Sequence, residues 1–286
     1  MEMREGRVKC LSAAGFHHMA YVEWGDAANP RVLVCVHGLT RCGRDFDFLA
    51  QAMAGEYRVV CPDIVGRGRS DWLRNKSLYA IPQYCADVAT LLAKVGAESV
   101  DWVGTSMGGL IGMALAIQPE TPVRKLVLND VGPVITAASL ERIGMYLGRV
   151  GRFDSIEQAE SAVRFVSAPF GPLTDAQWRH LTVHVVRQTA DGKFEMAYDP
   201  GSAEPFKEVY ATCAGKDVES WPLYDAVRCP TLLLRGATSD LLTTESAQEM
   251  TRRGPKARLV EIPGVGHAPM LLDAAQIAPV REFLLG

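Results

Sequence analysis

The pentapeptide Gly104-Thr105-Ser106-Met107-Gly108 sets a serine between two glycines, with the apolar run "SVDWV" before it and "GGLIGMALAI" after it. A serine on a tight strand-to-helix turn holds its hydroxyl above the sheet edge, with the positive end of the helix dipole beneath it. Gly104 and Gly108 keep side chains out of so sharp a turn. A serine hydroxyl does not react unaided near neutral pH, so a nucleophile here needs a base and a group to orient that base.

The chain holds six histidines. His267 stands in "IPGVGHAPML", a Gly/Pro-rich loop after an apolar run, where the backbone is free to swing an imidazole over the sheet edge. Asp240, in "LLLRGATSDLL", follows another apolar run. The order Ser106, Asp240, His267 is the one expected of a nucleophile–acid–base triad on an α/β sheet. Asp130, in "LVLNDVGP", is a competing strand-end acid; its place at the start of a long excursion points instead to a hinge or cap, so Asp240 is the expected acid. His180 and His184 lie four apart on a helical pattern with no carboxylate completing a ligand motif, and His17 and His18 point to opposite faces of a strand. No metal and no organic cofactor is expected, there being no ligand cluster and no phosphate-cradling loop after the first strand.

The elements that must position these residues are short apolar runs alternating with helical patterns. "RVLVCV" (31–36) and "YRVVCPD" (57–63) are continuous apolar stretches closed by turn residues, as strands covered on both faces are. A helical pattern with Pro82 near its start and Gly96 at its end spans 81–96, and the rhythm resumes with "PTLLLRG", "ARLVEIPG" and a final helix near 273–285. Strand–helix alternation means a mostly parallel sheet flanked by helices, an α/β fold. Residues 133–222 break the rhythm with three amphipathic helical patterns and a Gly/Pro-rich connector. This predicts a helical lid inserted into a core made of 1–132 and 223–286.

Composition limits the partners. Of 286 residues, 48% are hydrophobic and 22% charged, with a net charge of −3, so no basic field attracts nucleic acid or an anionic membrane. No apolar run reaches the roughly 18–20 residues needed to span a bilayer. The N-terminal stretch "MEMREGRVKC" is polar and lacks a signal-peptide core, and seven scattered cysteines without a CxxC pair fit a reducing cytoplasm.

These motifs together resemble the α/β-hydrolase superfamily: "HGLT", "DIVGRGRSD", "GTSMGG", "RGATSD" and "GVGHAP", in that order over nearly the whole chain. Within it the chain is most similar to lid-bearing bacterial hydrolases of the enol-lactonase and 3-hydroxyalkanoate-oligomer-esterase type. The resemblance implies a serine hydrolase that cleaves small or oligomeric carboxylic esters, or lactones, through an acyl-enzyme on Ser106. Ser106 stands where haloalkane dehalogenases and epoxide hydrolases of this fold carry Asp, which speaks against those chemistries. Carbon–carbon or amide hydrolysis by the same triad, or ligand binding with a vestigial one, are the alternatives. The oxyanion would be held by the backbone N–H groups of Met107 and Leu39, with His37 and Gly38 bracing the turn. Arg41 is the candidate for a substrate carboxylate, against a plain ion pair of Arg41 or Arg44 with Asp45 or Asp47. Tyr146, Phe153, Phe165 and Trp178 are candidate pocket walls.

Overall fold

A computed structural model describes residues 2–286. The chain opens with an antiparallel hairpin, β1 (Arg4–Ser12) and β2 (Gly15–Trp24). It then alternates through β3 (Val32–Val36), α1 (Asp47–Met53), β4 (Arg58–Pro62), α2 (Ile81–Val95), β5 (Val100–Thr105), α3 (Met107–Ala116) and β6 (Val123–Asn129). An insertion follows: β7 (Val134–Ile135), α4 (Ala137–Tyr146), β8 (Arg152–Phe153), α5 (Ile156–Val166), α6 (Asp175–Val183), β9 (Val186–Gln188), β10 (Phe194–Met196), α7 (Ala203–Cys213), β11 (Val218–Glu219) and α8 (Trp221–Ala226). The alternation resumes with β12 (Thr231–Gly236), α9 (Thr244–Met250), β13 (Arg258–Ile262) and α10 (Ala274–Leu285).

The central sheet has the order β1-β2-β4-β3-β5-β6-β12-β13 and is parallel from β4 onward. Every residue of β3 and β12 is buried, because helices cover both faces. One core packs α2 and α3 on the sheet through Val88, Leu91, Trp102 and Ile111; the other packs α1 and α10 through Leu49, Met53, Val280 and Leu284. α2 buries Tyr84, Val88, Leu91, Leu92 and Val95 on one stripe and stops at Gly96, whose φ of 68° is the left-handed cap glycine adopts freely. The expected α/β layering is present.

β1 has no counterpart among the expected strands. It buries only Val8, Cys10 and Ser12, at a period of two, and its polar outer face hides it among ordinary surface residues. The insertion is also less purely helical than its sequence spacing predicts. The third helical pattern stops at Val183, and Val186–Gln188 forms β9, which pairs with β10 across the Asp191-Gly192 turn. α7 begins inside the expected connector, its start disguised by Gly201 and Ser202 just before it and by Pro205 in its first turn.

Candidate active site

β5 runs straight into Ser106, which takes φ 51° and ψ −114° before α3 begins at Met107. A non-glycine residue held there stores backbone strain, and its surroundings fix it. The Ser106 N–H donates to the Asn129 carbonyl (3.0 Å), and the Trp102 indole donates to the Gly108 carbonyl (3.0 Å). The flanking glycines are sterically required. A Cβ at Gly104 would lie 2.3 Å from the Gly108 carbonyl carbon, and one at Gly108 would lie 2.0 Å from the Val36 carbonyl oxygen.

His267, in the loop after β13, reaches Ser106 Oγ with Nε2 at 3.1 Å. Its Nδ1 lies 2.7 Å from Oδ2 of Asp130, not of Asp240. Asp130 is wholly buried and sits immediately after β6 with φ 55°. Its carboxylate also accepts from the Gly236 N–H (2.8 Å) and the Ser239 hydroxyl (2.6 Å). An ionised, acceptor-only carboxylate fixes the proton on Nδ1, which leaves Nε2 to accept from the serine hydroxyl.

The expectation of Asp240 as the acid is therefore corrected. Asp240 is bound by Arg142 of α4 through Nε (2.5 Å) and Nη2 (2.9 Å), and its side chain is 44% exposed. The loop after β12 does serve the acid, but through Ser239. β6 lies next to β5 in the sheet, so its end delivers a carboxylate directly beside the serine turn. "LVLND" carried that signal at the strand end.

The loop after β3 closes the other side, where a Cβ on Gly38 would sit 3.7 Å from Ser106 Cβ. His37 is fully buried; its Nδ1–H donates to the Gly38 carbonyl (2.7 Å) and its Nε2 accepts from the Ile64 N–H (2.9 Å). Burial, partly offset by the Gly38 bond and reinforced by the nearby Arg67 and Arg41 cations, pushes its pKa down to about 3, so it stays neutral. In a trans peptide the N–H points opposite to the C=O. Holding the Gly38 carbonyl outward thus turns the Leu39 N–H inward. Neither that N–H nor the N–H of Met107, first residue of α3, has an acceptor among the described residues.

Above these groups lies a cavity of about 480 Å³, mostly apolar, between the sheet edge and the insertion. Ser106, His267, Leu39 and Met107 line it. A serine hydroxyl, an imidazole within reach of it and inward N–H groups at the base of a cavity are what acyl transfer to water requires.

Residues 33–280 match the Alpha/beta hydrolase family. The chain belongs to this family. It is 51% identical over 99% of its length to the 3-hydroxybutyrate-oligomer hydrolase of Cupriavidus necator, covering 98% of that protein. An alpha/beta hydrolase from Novosphingobium aromaticivorans is 36% identical, with a TM-score of 0.85 over 99% of this chain and 98% of that one. An esterase of Mycobacterium tuberculosis is 28% identical over 84% of this chain and 77% of its own. The chain is a hydrolase.

In this α/β hydrolase Arg41 and Tyr146 line the cavity, whereas Phe153, Phe165 and Trp178 do not. Phe153 pairs with Phe194 in the small sheet of the insertion, and Phe165 is 85% exposed. Trp178 stacks behind Phe170, which takes the lining position. Helical spacing marked the apolar stripes of the insertion but not which stripe faces the core. Arg142 of α4, Phe206 of α7 and Tyr79 also line the cavity and escaped the sequence reading. Arg41 is bound by Asp45 through Nε (2.8 Å) and Nη2 (2.6 Å), and Arg44 by Asp47.

Among the described residues two side-chain clusters have a metal-like composition, and neither donor set fits an ion. Asp47 approaches His180 and His184, but its carboxylate is already neutralised by Arg44. Cys10, His17 and Asp87 lie together in the core, where burial and Asp87 push the Cys10 thiol up to about 12, far from the thiolate a metal needs.

Proposed function

We propose that this protein hydrolyses the ester bonds of short 3-hydroxyalkanoate oligomers through an acyl-enzyme on Ser106. The observation that carries this is the unbroken chain Ser106–His267–Asp130 at the base of an apolar cavity. The relative named for 3-hydroxybutyrate oligomers, similar end to end, supports the substrate class.

Ser106 Oγ attacks the ester carbonyl as its proton passes to His267 Nε2, and Asp130 stabilises the imidazolium. The oxyanion accepts from the Leu39 and Met107 N–H groups; one such donor is worth roughly 2.7–4 kcal/mol in the transition state. The imidazolium then gives its Nε2 proton to the departing alkoxide oxygen, which leaves as the hydroxyl of the alcohol fragment. Water, deprotonated by the same nitrogen, attacks the acyl-enzyme and frees Ser106. Residues 133–222 act as a lid, with Tyr146 and Phe206 giving apolar walls that suit the methyl-bearing backbone of such an oligomer. Among the described residues the Nη1 of Arg41 has no hydrogen-bond partner, and that group meets the single carboxylate terminus. Seven free cysteines suit work in the reducing cytoplasm.

The test is chromatographic. Purified protein is incubated with the linear dimer and trimer of 3-hydroxybutanoate and, separately, with p-nitrophenyl butanoate. Monomer release from the oligomers is expected. Turnover of the aryl ester alone would overturn the substrate class, and turnover of neither would overturn ester hydrolysis.

A further inference from the structure

The glycine-rich turn after β4, Gly66-Arg67-Gly68, has no part in the chemistry described above. Gly66 (φ 85°) and Gly68 (φ 55°) take left-handed backbone, and Cβ atoms there would lie 2.5 Å from the Tyr79 ring and 2.5 Å from the Asp63 carboxylate. This turn aims Arg67 inward until it is fully buried. Its Nε donates to the Leu39 carbonyl (2.8 Å), and its Nη1 donates to the Val65 carbonyl (2.9 Å) and the Tyr84 hydroxyl (2.9 Å). The rings of Tyr79 and Tyr84 lie 5.4 and 5.2 Å from its guanidinium carbon. Among the described residues no carboxylate pairs with it, and its Nη2 is buried without a partner.

A buried cation left without a counter-ion is costly, because neutral dipoles solvate it only in part. Its place explains why the fold keeps it. The carbonyl it holds belongs to Leu39, the residue whose N–H faces the developing oxyanion. Resting on the acyl-enzyme reading above, we propose that Arg67 is a positioning residue whose fixed positive charge supplies the missing counter-charge to the tetrahedral oxyanion. The reaction separates charge, and each product of that separation then finds an opposite charge already in place. The imidazolium of His267 meets Asp130, and the oxyanion meets the charge of Arg67, whose guanidinium holds the carbonyl of the same residue that turns its N–H to the oxyanion. The other charged groups near the loop are internally paired: Arg41 with Asp45, and Arg69 with Asp63 and Glu5. The depressed pKa of His37, with Arg67 among its causes after burial, fits the same positive field.

The experiment measures the oxyanion itself. A short alkyl trifluoromethyl ketone, labelled with 13C at its carbonyl, adds to Ser106 as a hemiketal whose chemical shift reports its ionisation. Two variants separate charge from geometry. Arg67→Gln keeps an N–H donor but loses the charge; Arg67→Lys keeps the charge but loses the planar fork. The proposal predicts a hemiketal pKa raised by about 1–2 units in Arg67→Gln, an acylation rate lower by about 10- to 100-fold, and a wild-type-like hemiketal pKa in Arg67→Lys. An unshifted Arg67→Gln, or an equal shift in both variants, overturns it. Should Arg67→Gln not fold, Arg67→Lys alone decides: a retained pKa supports the charge role, and a raised one contradicts it. Absence of any adduct on the wild-type protein would instead strike the acyl-enzyme reading.

Discussion

Asp130 holds His267 at 2.7 Å while lying completely out of solvent, and its remaining acceptor capacity is taken up by Gly236 and Ser239. A carboxylate fixed this way selects the Nδ1–H tautomer and, in the proposed reaction, would receive the imidazolium. Asp130→Asn presents an amide that can force the opposite tautomer, so kcat is expected to fall by about 10³–10⁴ with little change in KM. Steady-state kinetics on p-nitrophenyl butanoate check this. A loss under 10-fold would remove Asp130 from the triad.

Asp240 has a different task, tying α4 to the loop after β12 through Arg142, with Thr136 Oγ1 donating to its backbone carbonyl (3.1 Å). The pair is substantially exposed, so its loss costs about 1 kcal/mol or less. Asp240→Asn is expected to leave kcat within about threefold of wild type. KM is expected to rise, because Arg142 lines the cavity and its freed guanidinium can reorient. A kcat loss matching that of Asp130→Asn would contradict this division of roles.

His37 makes the fold acid-sensitive. Its folded pKa of about 3 lies below the 6.5 of the ordinary group, so the unfolded chain binds more protons between those values. The stability it contributes is complete above pH 6.5 and is lost as pH falls toward 3, at about 1.4 kcal/mol per pH unit. His184, pushed down to about 3 by burial and then by Arg44 and His180, adds in the same direction. Urea unfolding at pH 7.0, 6.0 and 5.0 is expected to show a falling midpoint, with a shallower fall in His37→Gln. Parallel pH dependences in the two proteins would rule out His37 as a source.

Gly108→Ala is expected to cost more than about 3 kcal/mol, since the new methyl must overlap the Val36 backbone, which has no flexible end to yield. Gly55→Ala, with open space around its Cβ position, serves as the control and is expected to stay within about 1 kcal/mol of wild type. Thermal denaturation of both variants decides this, and a Gly108→Ala protein with unchanged Tm would be the contrary result.

The sheet and the serine turn were legible because their signals are local: a buried parallel strand reads as an apolar run, and a sharp turn needs glycines beside the nucleophile. His267 was legible because its loop is rich in Gly and Pro. The acid was not, because Asp130 and Asp240 both end strands on the same edge, and only tertiary register shows that Ser239 supports Asp130 while Asp240 turns outward to Arg142. The cavity wall failed for a related reason. Phe165 and Tyr146 have equal claims as aromatic residues on amphipathic helices, yet one is exposed and the other lines the cavity. Nothing in "GRGRS" reveals that the first arginine points inward and the second outward.

The most direct measurement is the site of covalent modification. Treating the protein with a p-nitrophenyl alkylphosphonate and mapping the adduct by peptide mass spectrometry should place one phosphonyl group on Ser106, with activity lost in proportion to labelling. Ser106→Ala should take no label and turn over no ester. A Ser106→Ala protein that keeps wild-type turnover, or a label on any other residue in step with inactivation, would contradict the account.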